Sequence, residues 1–368
     1  MLFSIDEDTG TRIVGWIMPD NPSHTPCVSV FEGSEKLAEV QARIVRPLLR
    51  EQGLHDTGLC GFVVDEAAVS GLARRHQIDV FDVHTQTLVY RRRYGTPTIQ
   101  RKLFRLETQI LPNVRVNRLF DSLFQMSYPR IESLPPDTTR SIIDINFSNS
   151  IYLSGRVYLA EYEVFLQKNG FDSCTYVRDP MEELAEQLLT LEWISRNSDD
   201  TVKQLGNIGL MSLVDAVKGK ELKDADDFGA WLLHLPAEDR QLLSNPLTRL
   251  LTCRSADEPL SVIAVPSALD ALSGMKAVQL RSNLEHFLQL VGAQLEHDLG
   301  TWELPAPSPG VTKLADGLRD KEMARELLTA DLELFREVSV AVDRTTQAMR
   351  DRDSQIEPPP AQAAIAQG

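Results

Sequence analysis

The sequence predicts an α/β protein: a parallel sheet flanked by helices, preceded by an antiparallel β-sandwich. Three observations carry this. The first 95 residues hold short runs rich in β-branched and aromatic side chains, separated by turns containing Pro19, Asn21, Pro22 and Gly33. From residue 96 to 350, runs of that kind alternate with long stretches of helical periodicity. At 171–194 (FDSCTYVRDPMEELAEQLLTLEWI), a β-branched run ends at Arg178-Asp179-Pro180 and passes directly into an amphipathic helix. That is the strand, turn and helix start of an open parallel sheet.

Within residues 1–95, the runs 11–17 (TRIVGWI), 27–31 (CVSVF) and 61–64 (GFVV) read as strands, and 78–83 (IDVFDV) alternates as a half-buried strand does. Trp16 is open to two readings, a stacking platform for a sugar ring or a core aromatic; the large area a ring buries favours the core. Beyond the junction, apolar residues at three and four spacing predict helices over 103–111, 116–124 and 160–166. Strands are expected at 141–145, 173–177 and 260–265, and long helices at 275–295 and 321–349. Residues 351–368, with Pro358-Pro359-Pro360, have no means of burying surface and are expected to be a disordered tail.

The net charge of −15, from 53 acidic against 38 basic side chains, argues against general nucleic-acid binding, which needs a basic surface. Six cations cluster at the junction: Arg91, Arg92, Arg93, Arg101, Lys102 and Arg105. They either attract an anionic glycan, lipid or nucleotide or pair with acids of the neighbouring unit, and the pairing is the commoner outcome. No apolar run approaches the ~20 residues that cross a bilayer, and the acidic N-terminus is unlike a signal peptide, so a cytoplasmic protein is expected. Cys27, Cys60, Cys174 and Cys253 are scattered, which predicts free thiols and no zinc site; the histidines give no metal signature either.

Arg178 stands where ligands collect in open α/β sheets, at a strand's carboxyl end beside a helix N-terminus. Its planar fork matches phosphate or sulfate. The alternative is that Arg178 pairs with Asp179 or another nearby acid and orders the turn.

The string Thr175 to Glu183 resembles the segment of the PAPS-dependent, P-loop type sulfotransferase family that receives the donor's 3′-phosphate, a pattern running apolar-apolar-Arg-Asp-Pro-x-Glu-Arg-x-x-Ser. Arg178, Asp179, Pro180 and Glu182 match it. Glu183 stands in place of the second Arg and Glu186 in place of the Ser, and a carboxylate repels phosphate. Asn245-x-x-Thr248-Arg249 is similar to a segment of bacterial, glycan-acting members; residues 262–270 resemble their late strand and turn, and 328–335 their closing helix. Gly15-Trp16 and Gly61-Phe62 resemble a small β-sandwich module found beside glycan-modifying domains.

The resemblance implies transfer of sulfate from PAPS to a glycan in cell-surface polysaccharide biosynthesis, with Arg178 on the donor's 3′-phosphate. The glycine-containing donor loop with its lysine is absent. The nearest string is 97–102, which makes Lys102 the candidate donor-contacting cation, or else a surface lysine at a helix start. Where the family often has Gly-His, this chain has Gly155-Arg156; Arg156 cannot act as a base, and either holds an anionic substrate or caps a helix. The competing expectation is a non-catalytic glycan-binding or scaffold partner of a glycosyltransferase.

Overall fold

The structure is a computed structural model that describes residues 1–196, 210–220, 222, 224–300 and 307–355. The N-terminal quarter forms two four-stranded antiparallel sheets. One has the order β1 (Leu2–Asp8), β2 (Arg12–Met18), β6 (Leu59–Asp65), β5 (Ile44–Val45). The other runs β4 (Glu35–Gln41), β3 (Cys27–Glu32), β7 (Gln77–Asp82), β8 (Leu88–Arg93). A short helix, α1 (Pro47–Glu51), joins β5 to β6. Along β2 the alternation is strict: Ile13, Gly15 and Ile17 are buried, and Val14, Trp16 and Met18 are half-exposed on the opposite face. Trp16 is therefore not a core aromatic, contrary to the expectation from its size.

The remainder is built on a five-stranded parallel sheet of order β10 (Met126–Pro129), β11 (Ile151–Gly155), β9 (Lys102–Leu106), β12 (Phe171–Val177), β13 (Ala277–Leu280). In chain order this is second, third, first, fourth, fifth. Helices cover both faces, as a parallel sheet requires. On one face, α2 (Val114–Leu123) and the helix Leu284–Leu295 pack Phe120, Phe124 and Phe287 against Leu103, Tyr152 and Tyr176. On the other, α3 (Pro136–Ile143), α4 (Leu159–Lys168) and the last helix, Thr329–Gln355, pack Ile142, Leu166 and Leu334 in one cluster with Phe104 and Leu153. That cluster continues into the buried side chains of both antiparallel sheets. A third cluster gathers helices, among them Ala225–His234 and Pro309–Arg319, around α5 (Pro180–Arg196).

Several expected elements change type. Residues 103–111 were expected as helix, but Lys102–Leu106 is the central strand; a strand buried on both faces is apolar on both, which imitates helical spacing. Residues 141–145 lie at the end of α3, because Pro136 at the first helical position starts a helix that carries Ile142 and Ile143 inward. The strand expected at 260–265 is a turn leading into the helix Ala264–Ser273, and Val262 is fully exposed. The late strand is instead Ala277–Leu280, inside the stretch read as a helix from 275. The helix expected over 321–349 is two, Glu322–Leu327 and Thr329–Gln355. It runs five residues into the expected tail; the rest of that tail lies outside the described residues. All four cysteines are free, three of them buried.

Four of the six junction cations pair with acids. Arg91 bonds Asp79 and Asp121, the fully buried Arg92 bonds Asp8, Arg101 bonds Glu296 and Arg105 bonds Glu107. Two of the motifs quoted above turn out to hold each other. Asn245 Oδ1 accepts the backbone N–H groups of Ala330 (2.8 Å) and Asp331 (3.1 Å) at the start of the last helix. Asp331 in return accepts Leu247 N–H (3.0 Å), Thr248 N–H (2.7 Å) and the Thr248 hydroxyl (2.6 Å) at the start of Pro246–Thr252. Each side chain satisfies donors that the other helix's first turn leaves open.

Candidate functional site: the carboxyl edge of the parallel sheet

The residue immediately after each parallel strand is charged. Across the sheet these are Arg130, Arg156, Glu107, Arg178 and Arg281, following β10, β11, β9, β12 and β13. Four arginines flanking one acid, at the edge where ligands gather in such folds, make this the candidate site. Arg130, Glu107, Glu132 and Arg281 were missed by sequence reasoning. Strands β10 and β13 are only four residues long, too short for periodicity to reveal, so nothing marked the arginines that follow them.

Arg178 sits at this edge as expected, but it faces acids of its own chain. Asp179 begins α5: its Oδ1 accepts the N–H groups of Met181 (2.9 Å) and Glu182 (3.2 Å), and Pro180 takes the first turn. That aims Glu183 and Glu186, one turn apart on α5, back at the strand end. Arg178 Nη1 lies 3.0 Å from Glu183 Oε2, and Nη2 pairs with Glu186. The guanidinium is 1% exposed and Glu183 7%, while Glu186 is 34% exposed. Burial works against the charge on Arg178, but the two carboxylates outweigh it and its pKa is raised. The two positions at which the chain departs from the family pattern are thus the two that neutralise Arg178.

The connection from the first parallel strand to its helix, residues 107–113, reads ETQILPN and contains neither glycine nor lysine. Its space is filled by a buried polar cluster. Arg105 pairs with Glu107 and donates to Asn117 Oδ1 (2.9 Å) and the Tyr152 hydroxyl (3.0 Å); Tyr152 and Ser154 also donate to Asn117 Oδ1, at 2.7 and 2.8 Å. Phosphate binding at such a junction needs backbone N–H groups free to close on the anion. Here α2 is held down on the strand by Asn117 instead. The residues at the expected PAPS site do not fit that donor.

Lys102 is remote from all of this. It begins β9, at the end of the strand opposite Glu107, where its ammonium donates to Ile145 O (2.7 Å) and lies 5.5 Å from the centre of the Phe171 ring. Burial lowers its pKa. Lys102 and Arg178 are therefore not brought together. Arg156 is at the edge: its N–H donates to Glu132 Oε2 (3.1 Å) and its Nε to Thr108 O (3.2 Å). Gly155 before it permits the close approach, since a Cβ there would lie 2.6 Å from Glu132 Oε2. Glu132 is 9% exposed, and its pKa is raised, by burial first and by neighbouring Glu107. Arg281 makes no hydrogen bond or ion pair with the described residues; burial, then repulsion by Arg178, lowers its pKa. It opens on a cavity of about 350 Å³ shared with Glu186, Trp193 and Ser308.

Among the described residues no group of three or more His, Cys, Asp or Glu is placed to hold a metal ion, and no helix is long and apolar enough to cross a membrane. No protein-family model matches the chain, and neither a curated protein nor a solved structure does.

Proposed function

We propose that this chain is a non-catalytic glycan-binding or scaffold partner of glycosyltransferases in cell-surface polysaccharide biosynthesis, built on a sulfotransferase-like framework. One observation carries the reading: the guanidinium that would take the donor's 3′-phosphate is already bound by Glu183 and Glu186. An incoming phosphate would have to displace both carboxylates and would then lie against them, which like-charge repulsion forbids. The connection at 107–113, without glycine or lysine, supports the same reading on the 5′ side. The polysaccharide side of the reading rests on the resemblance at Asn245, Thr248 and Arg249 and in the N-terminal β module, without the string at 262–270, which forms a turn and a helix in place of a strand.

The test is thermal melting with PAP, the desulfated donor product. A ligand that binds only the folded state raises the melting temperature by mass action. The expected result is no shift at millimolar PAP. A shift in the wild-type protein that Arg178→Ala abolishes would overturn the reading and restore sulfate transfer.

A further inference from the structure

The antiparallel and parallel sheets meet along a groove of about 630 Å³, within the range of roughly 300–1,000 Å³ seen for small-ligand clefts. Its floor is the outer face of β1 and β2. Alternation puts Trp16 there with Met18, on the face away from Ile13 and Ile17; its register partner is Gly61, beside which lies the Arg46 side chain, itself paired with Asp6. The indole N–H of Trp16 has no hydrogen-bond partner among the described residues. The far wall belongs to the other unit: Asp137, Arg140 and Asp144 from α3 and its end, then Asn146 on the loop that follows. An apolar plate thus faces planar carboxylate, guanidinium and amide groups.

We propose that this groove binds a neutral hexose oligosaccharide, with Trp16 stacking on the C–H face of one pyranose ring and Asp137, Asp144 and Asn146 taking its hydroxyl pairs. This rests on the reading of the chain as a glycan-binding protein and adds the site and the class of glycan. A pyranose is amphipathic, apolar on its faces and polar at its rim. A half-exposed indole beside acceptors and an amide is the matching surface.

Charge selects among glycans. The groups in and behind the groove are four carboxylates, Asp20, Asp137, Asp144 and Glu161, against three cations, Arg140, Lys102 and the amino group of Met1. Arg140 pairs with Glu161 and also lies 3.6 Å from Asp137, the amino group pairs with Asp20, Lys102 donates to Ile145 O, and one oxygen of Asp144 accepts from Asn169 at 2.7 Å. The remaining excess is negative, and it turns away sulfated and uronate-rich chains.

The experiment is isothermal titration of the full chain with cellohexaose, maltohexaose and mannohexaose, and with dextran sulfate as the anionic counterpart. Circular dichroism and melting serve as folding controls for each variant. At least one neutral hexasaccharide should bind saturably and dextran sulfate should not. Trp16→Ala should weaken binding about tenfold or more, as loss of a central aromatic anchor does. Trp16→Phe should retain most of it, and Asn146→Ala, on an exposed loop, should weaken it without touching the fold.

Neutral binding that both Trp16→Ala and Asn146→Ala leave unchanged would overturn this site and leave the glycan-binding reading standing. Binding of dextran sulfate alone would overturn the class of ligand. Absence of binding across the panel would overturn the site and the glycan reading together. None of these outcomes bears on the closed donor site, which the PAP titration reads separately.

Discussion

The carboxyl edge of the parallel sheet and the groove over β1 and β2 both hold charged side chains and differ in what those side chains face. At the edge, Arg178 is enclosed by two carboxylates supplied by the next helix, and Arg105 by Glu107 and Asn117. In the groove, Trp16, Asp137 and Asn146 remain on open surface. Buried charges paired within the chain contribute to holding one conformation together, and open amphipathic groups are available to a ligand. The residue types that suggest a binding site are therefore a poor guide until their partners are known, and here the site richest in arginine is the closed one.

That contrast can be broken most sharply at Arg178. Arg178→Ala leaves the buried Glu183 carboxylate without a counter-charge, with only the Gln187 amide donating to it at 3.3 Å, and should cost about 3–5 kcal/mol of stability in a urea melt. A loss below about 1 kcal/mol would mean that the edge is not closed as described.

A second handle is the interior acid Asp331, whose pKa burial pushes up to about 6 although three donors face it. A carboxyl raised in the folded state binds more protons than in the unfolded chain. Its contribution is therefore fully present below the unfolded value near 4 and is lost as pH rises through about 6. Denaturation of wild type against Asp331→Asn between pH 4 and 7 should show wild type losing up to about 3 kcal/mol more across that window.

Glu186→Gln should cost no more than about 1 kcal/mol, because Glu186 is one-third exposed and Glu183 still holds Arg178. Its melting temperature should stay close to that of wild type. The smallest change is expected from Trp16→Ala, at most about 1 kcal/mol for a residue on an outer sheet face. A larger loss would return Trp16 to the core and close the groove as a site.

Much of this was legible in the sequence. The strand Phe171–Val177 could be read because its β-branched run is cut by a proline, and α5 because Asp179 and Pro180 are its start signals. The departures at Glu183 and Glu186 were visible as well, and spacing alone puts them on one helix face. Their partner was not, since the side on which Arg178 leaves the strand depends on how β12 pairs with β9 and β13. The central strand escaped detection because both its faces are buried. For Trp16 the parity with Ile13 and Ile17 was readable, but which parity faces the core was fixed only by the pairing of β2 with β1 and β6.

The mutual clasp of Asn245 and Asp331 has a consequence for how the polypeptide is made. The helix Pro246–Thr252 reaches 84 positions ahead for the carboxylate that completes its first turn. A nascent chain cannot close that turn until Asp331 has emerged from the ribosome, so the middle of the protein waits on its far end. Products that stop short of residue 331 should be targets for proteolysis rather than partly working fragments.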